Sequence, residues 1–187
     1  DRSRPEGTRV AMPELPDVEV FARSVRAGGL NREVSAVTLH DAERLRGSQP
    51  GDLEAALVGY ALAEGHRHGK VLFLKLTSGW HMAIHFGMSG HLQLLDAAAK
   101  PPAHTRLLVA FSDGGHLAFV DQRRLGWVEL TDSPQHYLKA QEVGPDALTL
   151  TAEDFAKRLA GKRGKIKPAL MDQSLIAGLG NVYADEV

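Results

Sequence analysis

Met12-Pro13-Glu14 sets a proline directly after a methionine. If translation begins at that methionine and it is trimmed, the chain opens on the secondary amine of Pro13. An α-amine titrates near pH ~7.7–8, so an appreciable fraction is unprotonated at neutral pH. Such an amine adds to a sugar aldehyde carbon and gives a charged imine. Glu14 beside it offers a carboxyl for proton transfer in the same pocket. The plainer use of Pro13 and Pro16 is a stiff entry into a helix, which prolines mark far more often than active sites.

Other residues could join that chemistry. Lys70 follows His66-Arg67-His68-Gly69 at the start of a strand of core character, where a lysine is ordinarily just solvated. Met88 lies between Gly87 and Gly90, a pattern for a tight turn that projects an apolar side chain outward; its plain alternative is a gap-filling core methionine. Arg123-Arg124-Leu125 follows a strand and is otherwise a solvated turn. His104 sits in a loop and says nothing alone. Lys157, Arg158, Lys162, Arg163, Lys165 and Lys167 form a local basic cluster of the kind that phosphate neutralisation requires. Gly180 could let the backbone approach a phosphate, with the Asn181 amide as donor. No strand precedes Gly178-Leu179-Gly180 and no third glycine follows, which disfavours a dinucleotide loop and the metabolic enzyme it would imply. His81 and His85 could share a strand face, but no third metal ligand accompanies them, so they read as structural.

The elements that would position these groups follow from periodicity. Val18, Phe21, Ala22 and Val25 fall on one face of a helix over 17–27, ended by Gly28-Gly29. Residues 34–39 alternate as a strand, and 52–58 form a short helix after Pro50-Gly51. Strand-like runs occupy 71–76, 80–86, 91–95, 107–111, 116–120 and 127–130, separated by turn residues such as Asp113-Gly114-Gly115. This spacing predicts a β-sandwich or barrel-like domain. After Ser133 the pattern changes. Gly144-Pro145-Asp146 reads as a linker, Thr151 caps a helix through Leu159, a second helix runs from about Lys165 to Ile176, and a third begins at Val182.

The 187 residues suffice for one sizeable core, or a core domain with a smaller one. A composition 43% hydrophobic and 24% charged is ordinary for a soluble globular protein. The net charge of −1 means that any basic surface must be local. The absence of cysteine excludes disulfides and cysteine-ligated zinc within this chain. No apolar run approaches membrane-spanning length and residues 1–12 carry no signal core, so a cytoplasmic protein is expected.

The octet Met12–Glu19 resembles the opening of the formamidopyrimidine-DNA glycosylases, the Fpg or MutM group of the Fpg/Nei family, with Asp17 where glutamate is usual. Four further segments match that family in order. His66–Lys70 resembles R-R-x-K, with His68 for an arginine. His85-Phe86-Gly87-Met88-Ser89-Gly90 is similar to H-L-G-M-S-G. Asp121-Gln122-Arg123-Arg124-Leu125-Gly126 resembles D-P-R-R-F-G, with a smaller leucine for phenylalanine. Ile166 through Glu186 is similar to the helix–two-turns–helix signature. Pro102–Arg106 also resembles a K-H-D-H segment.

The resemblance implies an α+β fold: an extension at 1–12, disordered by its pattern; a catalytic β-sandwich domain with flanking helices at 13–140; a linker at 141–150; and a partial helix–two-turns–helix domain at 151–187. It implies removal of oxidised purines such as 8-oxoguanine and formamidopyrimidines from damaged double-stranded DNA, then strand cleavage as an abasic-site lyase. Pro13 would attack C1′, Glu14 would handle sugar protonation, and Lys70 would assist. Met88, Arg123 and Leu125 would fill the gap left by the everted base, Arg123 reading the orphan partner. His104, Arg123, Lys162, Lys167 and Asn181 would grip the DNA. A monomer in the cytoplasm, associated with the nucleoid, is expected. Zinc is usual in the family, but its finger is absent from this chain, so no cofactor is expected here and DNA affinity and the final elimination should be weak. The alternative is a non-catalytic DNA-binding module of the same family, in which the residues before Met12 leave Pro13 without a free amine.

Overall fold

The computed structural model describes residues 12–186, so the expectation for residues 1–11 lies outside them. α1 (Leu15–Gly28) begins where Pro16 fixes φ in the first turn and Asp17 Oδ2 accepts the Glu14 amide at 2.8 Å. The one-methylene shortening at Asp17 therefore still serves as a cap. Val18, Ala22 and Val25 are fully buried on one face, each contributing about 1–3 kcal/mol by leaving water.

Among the described residues, nine strands build two facing sheets. β1 (Val34–Leu39), β7 (Thr105–Phe111), β8 (His116–Val120) and β6 (His91–Leu95) form one, in that order. The other runs β2 (Leu45–Arg46), β9 (Trp127–Thr131), β5 (His81–His85), β4 (Val71–Leu76), β3 (Leu62–His68), antiparallel except where β2 meets β9. Alternation sorts the side chains. On β7, Leu107, Val109 and Phe111 point into the shared core with Leu117 and Phe119 of β8. Central β4 is buried on both faces: Leu72, Leu74 and Leu76 face the sandwich, whereas Val71 and Phe73 pack outward on Tyr137. α1 lies against β3 and β4 of one sheet and β6 of the other, and α2 (Pro50–Leu57) lies against β1. The β-sandwich with flanking helices is as the sequence implied.

Several elements depart from the sequence reading. β3 is a strand because its backbone pairs with β4 across the whole hairpin, despite the Glu, Gly, His and Arg that make Leu62–His68 look like a loop. His66–His68 therefore belong to a strand, and Gly69-Lys70 form the hairpin turn. α3 (Pro134–Ala140) is too short to show a period, but Ser133 Oγ caps it by accepting the His136 amide at 3.1 Å.

The helical part comprises α4 (Ala152–Leu159), α5 (Ile166–Met171) and α6 (Tyr183–Glu186) around Leu170, Ile176 and Ala184. α5 stops at Met171 rather than continuing to Ile176. Asp172 Oδ1 accepts the Ser174 amide and hydroxyl, and Gln173 turns its side chain back onto the loop through Met171 O, Leu179 O and the Gly178 amide. Leu148, Ile166, Val182 and Tyr183 are exposed apolar residues of this part. No helix among the described residues is long and apolar enough to cross a membrane.

Candidate active site and nucleic-acid interface

Pro13 and Glu14 are buried where the sandwich meets the helical part. The Glu14 carboxylate, 2% exposed, accepts three backbone amides: Gly180 at 2.7 Å, Val182 at 2.8 Å and Tyr183 at 3.3 Å. Leu15 N donates to Gly178 O at 3.2 Å beside them. Residue 180 has to be glycine for this approach, because a Cβ there would lie 2.4 Å from the Glu14 carboxyl carbon. The close approach that sequence assigned to a phosphate is thus made by Glu14 itself. Asn181 sits in the same loop with its side chain exposed.

Lys70 arrives from the β3–β4 turn. Arg67, on the strand before it, pairs with the buried Asp146, which also accepts the Gly69 amide at 2.7 Å and the Leu148 amide at 2.9 Å. His68 Nε2 lies 2.8 Å from Gly144 O. The histidine that replaces a family arginine therefore bonds the 141–150 segment, which is pinned along its length to the β3–β4 turn and to Gln173. Lys70 itself lines a cavity of about 200 Å³ with His85, Trp127, Tyr137, Gln173 and Ala177. Burial pushes its pKa below the ordinary lysine value, and the charge of Glu14 opposes that shift. A partly desolvated lysine gives up its proton more readily than a solvated one. His85 stacks on Trp127 with ring centroids 3.9 Å apart, and Arg46 caps the other face of that indole at 3.6 Å. Burial, then the charges of Lys70 and Arg46, hold the His85 pKa down at about 4. Sequence reading left His85 as structural, and its neighbours are indeed aromatic and cationic.

Met88, Arg123 and Leu125 come together on two adjoining turns, with Met88 37% and Leu125 44% exposed. The two arginines separate in role. Arg124 is committed to Asp41 and Glu43, with Nε 2.7 Å from Asp41 Oδ2. Arg123 is exposed, and its guanidinium has no hydrogen-bond or ion-pair partner among the described residues. His104, in the left-handed region at φ 66°, offers its carbonyl to the Asp121 amide and joins this group. Lys162 and Lys167 lie apart on the helical part; Lys162 is exposed, whereas Lys167 Nζ is held by Asp185 at 2.5 Å. Zinc has no fitting set: the sequence lacks cysteine, and no three potential ligands converge among the described residues.

The profile of the formamidopyrimidine-DNA glycosylase N-terminal domain matches residues 12–128, and that of the formamidopyrimidine-DNA glycosylase H2TH domain matches 143–187. The formamidopyrimidine-DNA glycosylase of Chloroflexus aggregans is 39% identical over 177 residues, covering 94% of this chain and 64% of that protein. The Arabidopsis thaliana protein of the same name is 34% identical over 192 residues, covering 94% of this chain and 49% of its own. The chain thus spans less than two-thirds of the length of these curated relatives. Among solved structures, wild-type Lactococcus lactis Fpg (MutM) bound to DNA containing N7-benzyl-Fapy-dG superposes with a TM-score of 0.85 at 28% identity, covering 93% of this chain and 65% of that one. MutM in complex with DNA containing carbocyclic 8-oxo-G gives the same TM-score at 29% identity, covering 93% and 66%.

Proposed function

Because the chain belongs to the formamidopyrimidine-DNA glycosylase family, we propose that it is a DNA glycosylase with lyase activity that removes oxidised purines from duplex DNA. The observation that carries this reading is the seat of Glu14 on the amides of Gly180, Val182 and Tyr183, which buries the adjoining Pro13 at the junction and brings the Glu14 charge to bear on Lys70. Relatives whose structures hold DNA with a formamidopyrimidine or an 8-oxoguanine analogue support the substrate class.

The Pro13 nitrogen adds to C1′ of the everted nucleotide, and the glycosidic bond breaks as the base departs with the bonding pair and takes up a proton. Ring opening leaves an iminium between Pro13 and C1′. That cation acidifies C2′, whose proton is lost as the phosphate on C3′ leaves with its electron pair. Lys70, with its lowered pKa, is the group poised to move protons at the sugar, and Glu14 bears the opposite charge beside it. Arg123 pairs with the orphan base while Met88 and Leu125 hold the gap open. His104, Lys162 and Asn181 contact phosphates; Lys167 joins them on exchanging Asp185 for a phosphate. The reacting sugar would sit between a sandwich (13–140) and a helix–two-turns–helix unit (151–187) joined by a connecting segment (141–150). The protein acts as a monomer in solution.

Borohydride reduction during reaction with an 8-oxoguanine duplex and with an abasic duplex tests this. A covalent adduct mapped to Pro13 on both is expected. Salt-sensitive DNA binding without an adduct on either would overturn the catalytic reading in favour of a binding module, and intact mass would tell whether Pro13 carries a free amine.

A further inference from the structure

We propose that Asp121, acting through Ser89, is the positioning residue that locks the Met88 turn to the Arg123–Leu125 turn, so that the three gap-filling side chains enter DNA as one unit. This rests on the function proposed above. Asp121 is fully buried, and its carboxylate is divided between the two turns. Oδ2 accepts the Leu125 amide at 2.8 Å and the Gly126 amide at 2.7 Å. Oδ1 accepts the Ser89 hydroxyl at 2.6 Å, and the Ser89 oxygen in turn accepts the Arg123 amide at 3.0 Å. The backbone of the same residue takes in the third segment: its N–H donates to His104 O at 3.0 Å, and its carbonyl accepts Arg106 Nε at 2.8 Å.

The turns also touch directly. Gly87 has φ +58°, and a Cβ on it would lie 2.4 Å from the Leu125 carbonyl carbon, so the two backbones meet with no side chain between them. Its amide is held by His85 Nδ1 at 3.1 Å. A wedge of three side chains on two loops works only if their spacing is kept within about half an ångström, which loops alone do not secure. A buried carboxylate with charge-assisted bonds to both loops supplies that constraint. Sequence showed Asp121 and Ser89 only as members of motifs whose named actors were Met88 and Arg123.

Asp121→Asn puts the fold itself at risk, so Ser89→Ala is the working variant, with Asp121→Asn as the second. Two reactions are measured: excision of 8-oxoguanine from a duplex, and borohydride trapping on a single-stranded abasic oligonucleotide, which has no gap to fill. Ser89→Ala should slow duplex excision by about tenfold or more, the scale of a misplaced wedge, while single-strand trapping stays within about twofold. In the Met88→Ala background the same change should cost less than in the unaltered protein, because one of the three side chains whose spacing it keeps is gone. Hydrogen exchange should quicken at Ser89, Arg123 and Leu125 together. Unchanged duplex excision, equal losses on both substrates, or full additivity with Met88→Ala would each overturn the inference. If the unaltered protein excises and traps nothing, the proposed function falls, and this inference with it.

Discussion

Replacing Glu14 by Gln tests the joint on which the site depends. The substitution keeps the shape and removes the charge. A glutamine oxygen can take the place of Oε2, which receives Gly180 and Tyr183, or of Oε1, which receives Val182, but not both. In either orientation an amide NH₂ faces a backbone N–H at a residue only 2% exposed. Hydrogen bonds to a charged group contribute about 1.5–3 kcal/mol each, and a stranded buried donor costs about 1–3 kcal/mol. A net loss of about 3 kcal/mol follows, which in a chain of this size lowers Tm by about 6–12 °C if the transition is cooperative. If the helical part instead releases by itself, amide exchange at Gly180, Val182 and Tyr183 should quicken by about two orders of magnitude while the sandwich core stays protected. Gly180→Ala, which drives a methyl group into the same carboxylate, should reproduce the effect and add little to it. Unchanged Tm together with unchanged exchange at those amides would refute the assignment of Glu14 as the anchor.

Arg123→Ala should weaken lesion-duplex binding by about 1–3 kcal/mol and relax discrimination of the orphan base without lowering Tm. Arg124→Ala should do the reverse, because its guanidinium is spent on Asp41 and Glu43; titration calorimetry beside thermal unfolding separates the two. Arg67→Ala leaves the Asp146 carboxylate buried and without its cation, and should cost about 3–5 kcal/mol in denaturant unfolding. Removing Asp146 as well should not restore the loss, because the Gly69 and Leu148 amides then lack their acceptor, and a double variant as stable as the unaltered protein would count against this reading. His85, held from 6.5 down to about 4, is neutral in the folded chain where the unfolded chain is already protonated. Stability should therefore fall by about 3 kcal/mol as pH drops from 6.5 towards 4, and be insensitive to this group above that window. His85→Gln should flatten that acid slope, and equal slopes in the two proteins would refute it.

The legible parts of this fold were those with local causes. β4 and β8 are near-continuous apolar runs, β7 alternates buried with half-buried residues, and the α1 stripe repeats at 3.6 residues, so all of them announced themselves. β3 did not, because this edge strand carries polar residues and Gly65 in place of an apolar alternation. The end of α5 was hidden because Leu170, Leu175 and Ile176 continue an apolar pattern that Asp172 and Gln173 interrupt through side-chain bonds. In the candidate site, residue types drew attention to Pro13, Lys70 and Met88, since the chemistry proposed for each belongs to one residue. Nothing local could show that Glu14 finds its donors 166 residues and more away, or that Asp121 serves two turns at once.

The β3–β4 turn shows how those long-range contacts bear on the proposed chemistry. Arg67 and the Gly69 amide are both taken by Asp146, and His68 by Gly144, so three consecutive residues are spent on the segment that leads into the helical part. Lys70 is the next residue, and its side chain is the one left to enter the cavity. That cavity is closed on one side by Gln173 and Ala177, which the helical part brings with it. The burial that lowers the Lys70 pKa, and the Glu14 charge that tempers it, therefore both depend on docking of the two parts. An undocked chain would carry a solvated lysine with its ordinary pKa and an exposed Pro13. Under the proposed function the acid–base character of the site is thus a property of the junction, and variants that loosen it should lose activity by returning Lys70 to water.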